Sequence, residues 1–126
     1  MRALFLALGL ALLAGAASAQ QLLETYVAEI SPNDHFNSNG QRLTQPWQII
    51  RQDRANFHRY GAGDAGDEWD SFFASADNRA AAERMIMDGY ISPQAARDIV
   101  NGNPIVVVEV WGYGDTGTYL NIDVYN

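Results

Sequence analysis

Residues 105–125, IVVVEVWGYGDTGTYLNIDVY, decide the fold of this chain. Apolar and polar side chains alternate along both halves, which is the pattern of two strands that each bury one face. Asp115-Thr116-Gly117 fits a three-residue hairpin turn with glycine in the left-handed position. This turn predicts a register with Val110 opposite Ile122. It gathers the branched apolar side chains on one face of the hairpin: Val106, Val108, Val110, Leu120, Ile122 and Val124.

The segments that precede the hairpin have strand and helix patterns in turn. Residues 22–30 alternate like a strand, residues 31–40 (SPNDHFNSNG) are dense in turn formers, and helical periodicity runs from Trp47 to about Tyr60. Helical composition returns over residues 75–88, and Ser92-Pro93 opens a short helix that Gly102 closes. We therefore predict an α+β fold. A strand, two to three helices and the C-terminal hairpin form a three-stranded, mainly antiparallel sheet with helices on one face.

The N-terminal residues have the composition of an export signal. Arg2 precedes an apolar run over residues 3–14, and Ala17-Ser18-Ala19 fits the pattern of a signal peptidase site. An apolar run of about a dozen residues is too short to span a bilayer, which takes about 20. We predict a signal peptide over residues 1–19 that is cleaved after Ala19. The product is a single domain over residues 20–126, in the periplasm or secreted, with no stable membrane anchor after cleavage.

The composition is acidic and contains neither Cys nor Lys. Eight Arg stand against 15 Asp and Glu, and the formal net charge is −7. Binding of nucleic acid relies on cationic side chains that neutralise phosphates, so the sequence predicts no nucleic-acid partner. Since disulfides cannot form, the stability of the domain has to come from burial and hydrogen bonding.

The most distinctive polar stretches are residues 34–40 (DHFNSNG) and residues 51–59 (RQDRANFHR). Their pairing resembles a group of small, signal-peptide-bearing bacterial proteins of unassigned function. The resemblance implies a periplasmic location and carries no mechanism.

Both His residues of the chain lie in these two stretches. Asp34 beside His35, and Asp53 on one helix with His58, could orient imidazoles for acid–base catalysis, with or without a metal. A nucleophile is harder to nominate, because the chain has no Cys or Lys and Ser38 lies in no strand–turn–helix elbow. A small hydrolase-like enzyme is therefore the alternative hypothesis and not the first one.

A structural role for these residues is the favoured interpretation. His35 and Asn37 would satisfy the backbone of the loop, and Arg51 and Arg54 would pair with nearby carboxylates. Asp53 is predicted to be buried, bonded either to an Arg or to backbone N–H groups of the DHFNSNG loop. Its position on the helix lies within an apolar stripe formed by Ile49, Ile50, Phe57 and Tyr60.

A second cluster of carboxylates lies in the Gly-rich loop over residues 61–70. A calcium site outside the EF-hand class would use oxygens from Asp64, Asp67, Glu68 and Asp70. A solvated acidic turn is the favoured interpretation, and no cofactor is predicted, because the His spacing matches no zinc pattern.

Aromatic side chains lie on the face of the hairpin opposite the valines. Trp111, Tyr119 and Tyr125 share this face with Glu109 and Asp123. Aromatic rings with polar tips are favoured at interfaces and can stack on sugars. The face is therefore a candidate binding surface, unless another segment covers it.

The favoured function is a non-enzymatic binding or interaction module with a protein or glycan partner in the cell envelope. It would present either the aromatic hairpin face or the DHFNSNG loop. Convergence of the His side chains and Asp53 on one cleft would favour the hydrolase instead. The candidate binding residues are Trp111, Tyr119, Tyr125, Asp34, His35 and Asn37.

Overall fold

The computed structural model describes residues 19–125, and its fold is α+β, as predicted. The predicted signal peptide lies outside the described residues, apart from Ala19. In chain order the elements are β1 (Gln21–Glu29), a 3₁₀ turn (Pro32–His35), α1 (Pro46–His58), α2 (Ala76–Ala80), α3 (Ala82–Met87), β2 (Tyr90–Ile91), α4 (Pro93–Asn101), β3 (Ile105–Tyr113) and β4 (Thr116–Tyr125).

The sheet has four strands in the order β1-β3-β4-β2, so the predicted count of three is wrong. β3 pairs antiparallel with both β1 and β4, and β2 runs parallel to β4. The sheet is therefore mixed, with an antiparallel part that matches the prediction. The missed strand has two residues, which is too short to show a period-two pattern.

The hairpin register differs from the predicted one by two residues. Val110 lies opposite Leu120, and not opposite Ile122. The left-handed glycine of the turn is Gly114, with φ of 53°, so the turn is shorter than the sequence suggested. Gly117 instead lies inside β4, where an added Cβ would come within 2.4 Å of the Phe72 ring. A shift of two residues keeps every side chain on its face, so the predicted face assignment is confirmed.

The core lies between the valine face of the sheet and the helices. Every second residue of β1 from Tyr26 onwards is buried, and so are their neighbours on β3 and β4. α1 contributes Ile49 and Ile50, and the other helices contribute the apolar side chains of Met85, Ile86, Ala95 and Ile99. No helix within residues 19–125 is both long and apolar enough to cross a bilayer.

Two helix predictions need correction. Tyr60 is 49% exposed and does not belong to the core stripe, because α1 ends at His58. Residues 75–88 form two short helices that divide at Ala81 and not one continuous helix. No Gly or Pro marks this division in the sequence, so composition could not predict it.

Candidate functional site

The DHFNSNG segment forms an ordered turn that the side chain of Asn37 organises. Asn37 Oδ1 accepts hydrogen bonds from the backbone N–H groups of Asn39 at 3.0 Å and Gln41 at 2.9 Å. Gly40 takes the left-handed conformation, with φ of 75°, which allows the chain to reverse. The segment thus satisfies its own backbone, which is the role predicted for Asn37.

The base of this turn is fixed to the rest of the domain by side chains. Asp34 accepts hydrogen bonds from the Ser31 backbone N–H and from Asn56 of α1, both at 2.9 Å. His35 Nε2 lies 2.8 Å from the Gly102 carbonyl oxygen. Asp34 and His35 are both buried. His35 bonds to a carbonyl outside its own loop, so the predicted role of His35 in satisfying the loop backbone is wrong.

A cleft opens between this turn and the exposed side of α1. It consists of two adjoining cavities of about 320 and 360 Å³, which share Asn37, Ser38, Gln52 and Tyr60 as lining residues. Volumes of this size lie at the lower end of the range for small-molecule pockets. The other residues that line the two cavities are Asn33, Phe36, Leu43, Trp47, Gln48, Arg51, Ala55, Asn56, Arg59 and Ala62.

The chemistry of this cleft differs from that of the whole protein. The chain is strongly acidic, yet neither cavity is lined by Asp or Glu. Arg51 and Arg59 are exposed, and neither forms an ion pair among residues 19–125. The pairing of Arg51 with a carboxylate that we expected is therefore not seen in this part of the chain. The central carbon of the Arg59 guanidinium lies 5.1 Å from the centroid of the Tyr60 ring, and Trp47 also lines the cleft.

Beneath α1, a buried guanidinium holds together three carboxylates. Arg54 is fully buried, and its nitrogens lie 2.8 Å from Asp53 Oδ2, 2.8 Å from Asp70 Oδ1 and 3.7 Å from Asp67 Oδ1. Its central carbon lies 4.4 Å from the centroid of the Tyr26 ring, within range of a cation–π contact. Arg54 thus has the ion pairs that we expected, at a position where sequence analysis had not predicted burial.

Asp53 is buried, as its place on the helix predicted, but its partner is not the loop. Arg54 Nε donates to Asp53 Oδ2, and Oδ1 has no hydrogen-bond partner in the described structure. Burial raises the pKa of Asp53 well above its ordinary value, although the charge of Arg54 acts in the opposite direction. Burial likewise raises the pKa of Asp34, against its hydrogen bonds from Ser31 and Asn56.

The residues of the hydrolase hypothesis contact separate groups. His58 Nε2 lies 2.8 Å from Asp70 Oδ1, whereas His35 is bonded to a backbone carbonyl. Within residues 19–125, no hydroxyl group is hydrogen-bonded to either imidazole. Asp53 meets His58 only indirectly, since Arg54 and Asp70 connect the two side chains.

The Gly-rich acidic loop covers the free edge of β1. Glu68 Oε1 accepts from the Val27 N–H at 2.7 Å, and Asp67 Oδ1 accepts from the Glu29 N–H at 2.9 Å. Asp70 Oδ2 accepts from the Phe73 N–H at 2.6 Å. Glu68 and Asp67 therefore bind backbone donors that the edge strand β1 would leave unpaired, whereas Asp70 binds a donor outside the sheet. Three of the four predicted calcium ligands thus have protein partners.

The aromatic face of the hairpin is formed as the sequence predicted. Trp111 lies opposite Tyr119, with ring centroids 5.9 Å apart and ring planes 3° from parallel. Both side chains are half-buried, and Tyr125 is 58% exposed. The structure does not bring this face together with the cleft residues in any of the cavities described above.

The cleft residues of α1 were missed because a single polar side chain carries little information in a sequence. Gln48, Gln52 and Arg59 recur at spacings of four and seven residues, which places them on one helical face. This stripe is the signal that could have found them. Comparisons with protein-family models, with curated proteins and with solved structures gave no match.

Proposed function

We propose that this protein is a non-enzymatic binding module of the cell envelope, and that its cleft takes a glycan that carries carboxylate groups. The observation that carries the proposal is the pair of exposed arginines, Arg51 and Arg59, in a cleft without acidic residues. A guanidinium binds a carboxylate through two parallel hydrogen bonds. The positive charge of the two arginines would therefore attract an anionic ligand to the cleft, although the net charge of the protein is negative.

The other residues that line the cleft favour a sugar as the ligand rather than a fatty or aromatic molecule. Amide side chains such as Gln48 and Gln52 offer donors and acceptors to hydroxyl groups. Trp47 supplies a flat apolar surface of the kind on which sugar rings stack, whereas one face of the Tyr60 ring is taken by Arg59. The Asn37 turn is fixed by its own hydrogen bonds, so little conformational entropy is lost on binding.

Location in the periplasm or outside the cell forms part of the proposal and rests on the predicted signal peptide. The hydrolase alternative has less support, since both His rings are bonded to partners that do not face the cleft. The aromatic hairpin face is the competing surface within the binding-module hypothesis. It offers rings and carboxylates but no free cation among its predicted members.

Calorimetric titration with trigalacturonate, a trisaccharide with three carboxylates, tests the proposal. We expect the wild-type domain to bind this probe, and the neutral sugar maltotriose to bind at least ~10-fold more weakly, because one lost charge-assisted bond is worth ~1.5–3 kcal/mol. A triglutamate peptide separates the two partner classes. Binding of the peptide as tight as that of trigalacturonate would contradict a glycan ligand.

Variants of the two arginines locate the site. The double substitution Arg51→Gln, Arg59→Gln should weaken trigalacturonate binding by at least ~10-fold, because it removes both charges and keeps polar side chains. Arg97→Gln is the matched control, since Arg97 is exposed on α4 and lines neither cavity. Unchanged binding by the double variant would refute the cleft as the site.

A further inference from the structure

Three carboxylates from separate segments meet beside the buried arginine. Asp34 of the 3₁₀ turn, Asp53 of α1 and Asp64 of the acidic loop each place one oxygen so that all three lie within 4.8 Å of one another. Asp34 and Asp53 are only 1% exposed, and Asp64 is half-buried. Asp34 and Asp53 belong to the hydrolase hypothesis and Asp64 to the predicted calcium loop, and no spacing in the sequence connects the three.

One oxygen in this group lacks a partner. Asp53 Oδ1 is buried, and no donor in the described structure reaches it, whereas Oδ2 is bonded to Arg54. A buried carboxylate oxygen without a donor is costly, because it has lost its water and gained nothing in return. An unpartnered oxygen within a group of carboxylates is the arrangement that a bound cation would satisfy.

The charge balance of this interior is also incomplete. The side chains of Asp34, Asp53, Asp67 and Asp70 are buried, and Arg54 is the one guanidinium that contacts this group among residues 19–125. A cation bound beside these groups would favour the ionised form of the carboxylates, against the cost of their burial.

We propose that Asp34, Asp53 and Asp64 form a calcium site that ties the 3₁₀ turn, α1 and the acidic loop together. The donors are all oxygen, which favours a hard cation over zinc or copper. Magnesium gives up its water reluctantly and usually keeps several water ligands, whereas calcium accepts a set of carboxylate oxygens from the protein. A largely buried site formed by three carboxylates therefore suits calcium better.

A cation bound at this site would cross-link separate segments of the domain, as disulfides do in other exported domains. The chain has no Cys, and the three ligands come from segments that are separated by 19 and 11 positions along the chain. Asp34 also receives the hydrogen bond from Asn56, a residue that lines the cleft. The cation would therefore hold the DHFNSNG turn against α1, on the buried side of the proposed binding cleft.

Thermal unfolding of the purified domain, first freed of metal with a chelator, tests this proposal. Calcium at ~1 mM, a concentration suited to extracellular sites, should raise the melting temperature by at least ~5 °C. Magnesium at the same concentration should raise it less. No shift with calcium would overturn the site, and an equal shift with magnesium would overturn its assignment to calcium.

Substitutions distinguish this site from general binding to an acidic surface. Asp64→Asn should abolish the calcium shift, and it should fold, because Asp64 is half-buried and outside the helices. Asp53→Asn should abolish the shift as well. Asp88→Asn, at an exposed acidic residue of similar size, should keep it. A calcium shift that survives in Asp64→Asn would refute the proposed ligand set.

Discussion

The substitution Arg54→Met tests how much the buried guanidinium contributes to the free energy of unfolding of the domain. Arg54 is fully buried, and it donates to Asp53 Oδ2, to Asp70 Oδ1 and to the Glu68 carbonyl oxygen at 2.8–2.9 Å. Met keeps an unbranched apolar stem and carries no charge, but it ends before the position of the guanidinium. The variant therefore removes the charge, the hydrogen bonds and the contact of the guanidinium with the Tyr26 ring.

The expected loss of stability follows from the carboxylates that the variant leaves behind. Removing one partner of a buried ion pair costs about 3–5 kcal/mol, because the remaining charge is uncompensated. Two carboxylates here, those of Asp53 and Asp70, lose a direct hydrogen bond of 2.8 Å. We therefore expect a loss of at least ~4 kcal/mol, which is a large share of the ~5–15 kcal/mol that stabilises a domain of ordinary size.

Urea denaturation at neutral pH, followed by far-UV circular dichroism, measures this loss. Arg54→Lys keeps the charge but cannot reproduce the planar arrangement of donors, so it should lose less than Arg54→Met. Arg97→Met, at an exposed position, should stay within about 0.5 kcal/mol of the wild type. If Arg54→Met lies within about 1 kcal/mol of the wild type, the buried network does not carry the stability that we assign to it.

Three further predictions concern packing, titration and processing. Gly89→Ala should destabilise the domain by about 2–3 kcal/mol in urea, because its Cβ would overlap the Leu120 carbonyl oxygen, and an unchanged midpoint would contradict the β2–β4 contact. Burial raises the pKa of Asp34 and Asp53, so their ionisation opposes folding above the ordinary carboxyl range. This cost begins to fall as the pH drops below the raised pKa, and it vanishes in the ordinary carboxyl range. In chelator, the stability of the wild type relative to Asp53→Asn should therefore increase between neutral pH and pH ~5, and a constant difference would refute the burial argument. Intact-mass measurement of the exported protein should give a chain that begins at Gln20, whereas the full precursor mass in a membrane fraction would contradict the proposed signal peptide.

The helices and strands that could be predicted from the sequence are mainly those in which the spacing of apolar side chains repeats regularly over many residues. β1, β3, β4 and α1 each contain enough residues for alternation or helical periodicity to emerge, and Ser92-Pro93 marks the start of α4. β2 has two residues, and no Gly or Pro marks the break at Ala81, so neither feature had a local signal. The predicted register was wrong because Gly114 and Gly117 were both candidates for the left-handed position of the turn. Gly117 lies instead against Phe72 and Met85, where a side chain would not fit, and the sequence does not show this contact.

The candidate sites were less predictable than the fold. Arg54 follows Ile50 by four residues and precedes Phe57 by three, so helical geometry alone would have placed it on the buried stripe. Arginine is rarely buried without partners, and two of its three carboxylate partners, Asp67 and Asp70, come from a loop more than ten residues away. The meeting of Asp34, Asp53 and Asp64 depends in the same way on three segments that only the folded chain brings together.

The central claim is that the cleft between the Asn37 turn and α1 binds an anionic glycan. The most direct test is a titration of the isotope-labelled domain with trigalacturonate, followed by two-dimensional NMR of its amide and indole N–H groups. The account predicts that shifts concentrate at the Trp47 indole, the side-chain amides of Gln48 and Gln52, and the backbone of Ser38. Shifts that concentrate instead on Trp111 and Tyr119, or no shifts at all, would contradict it.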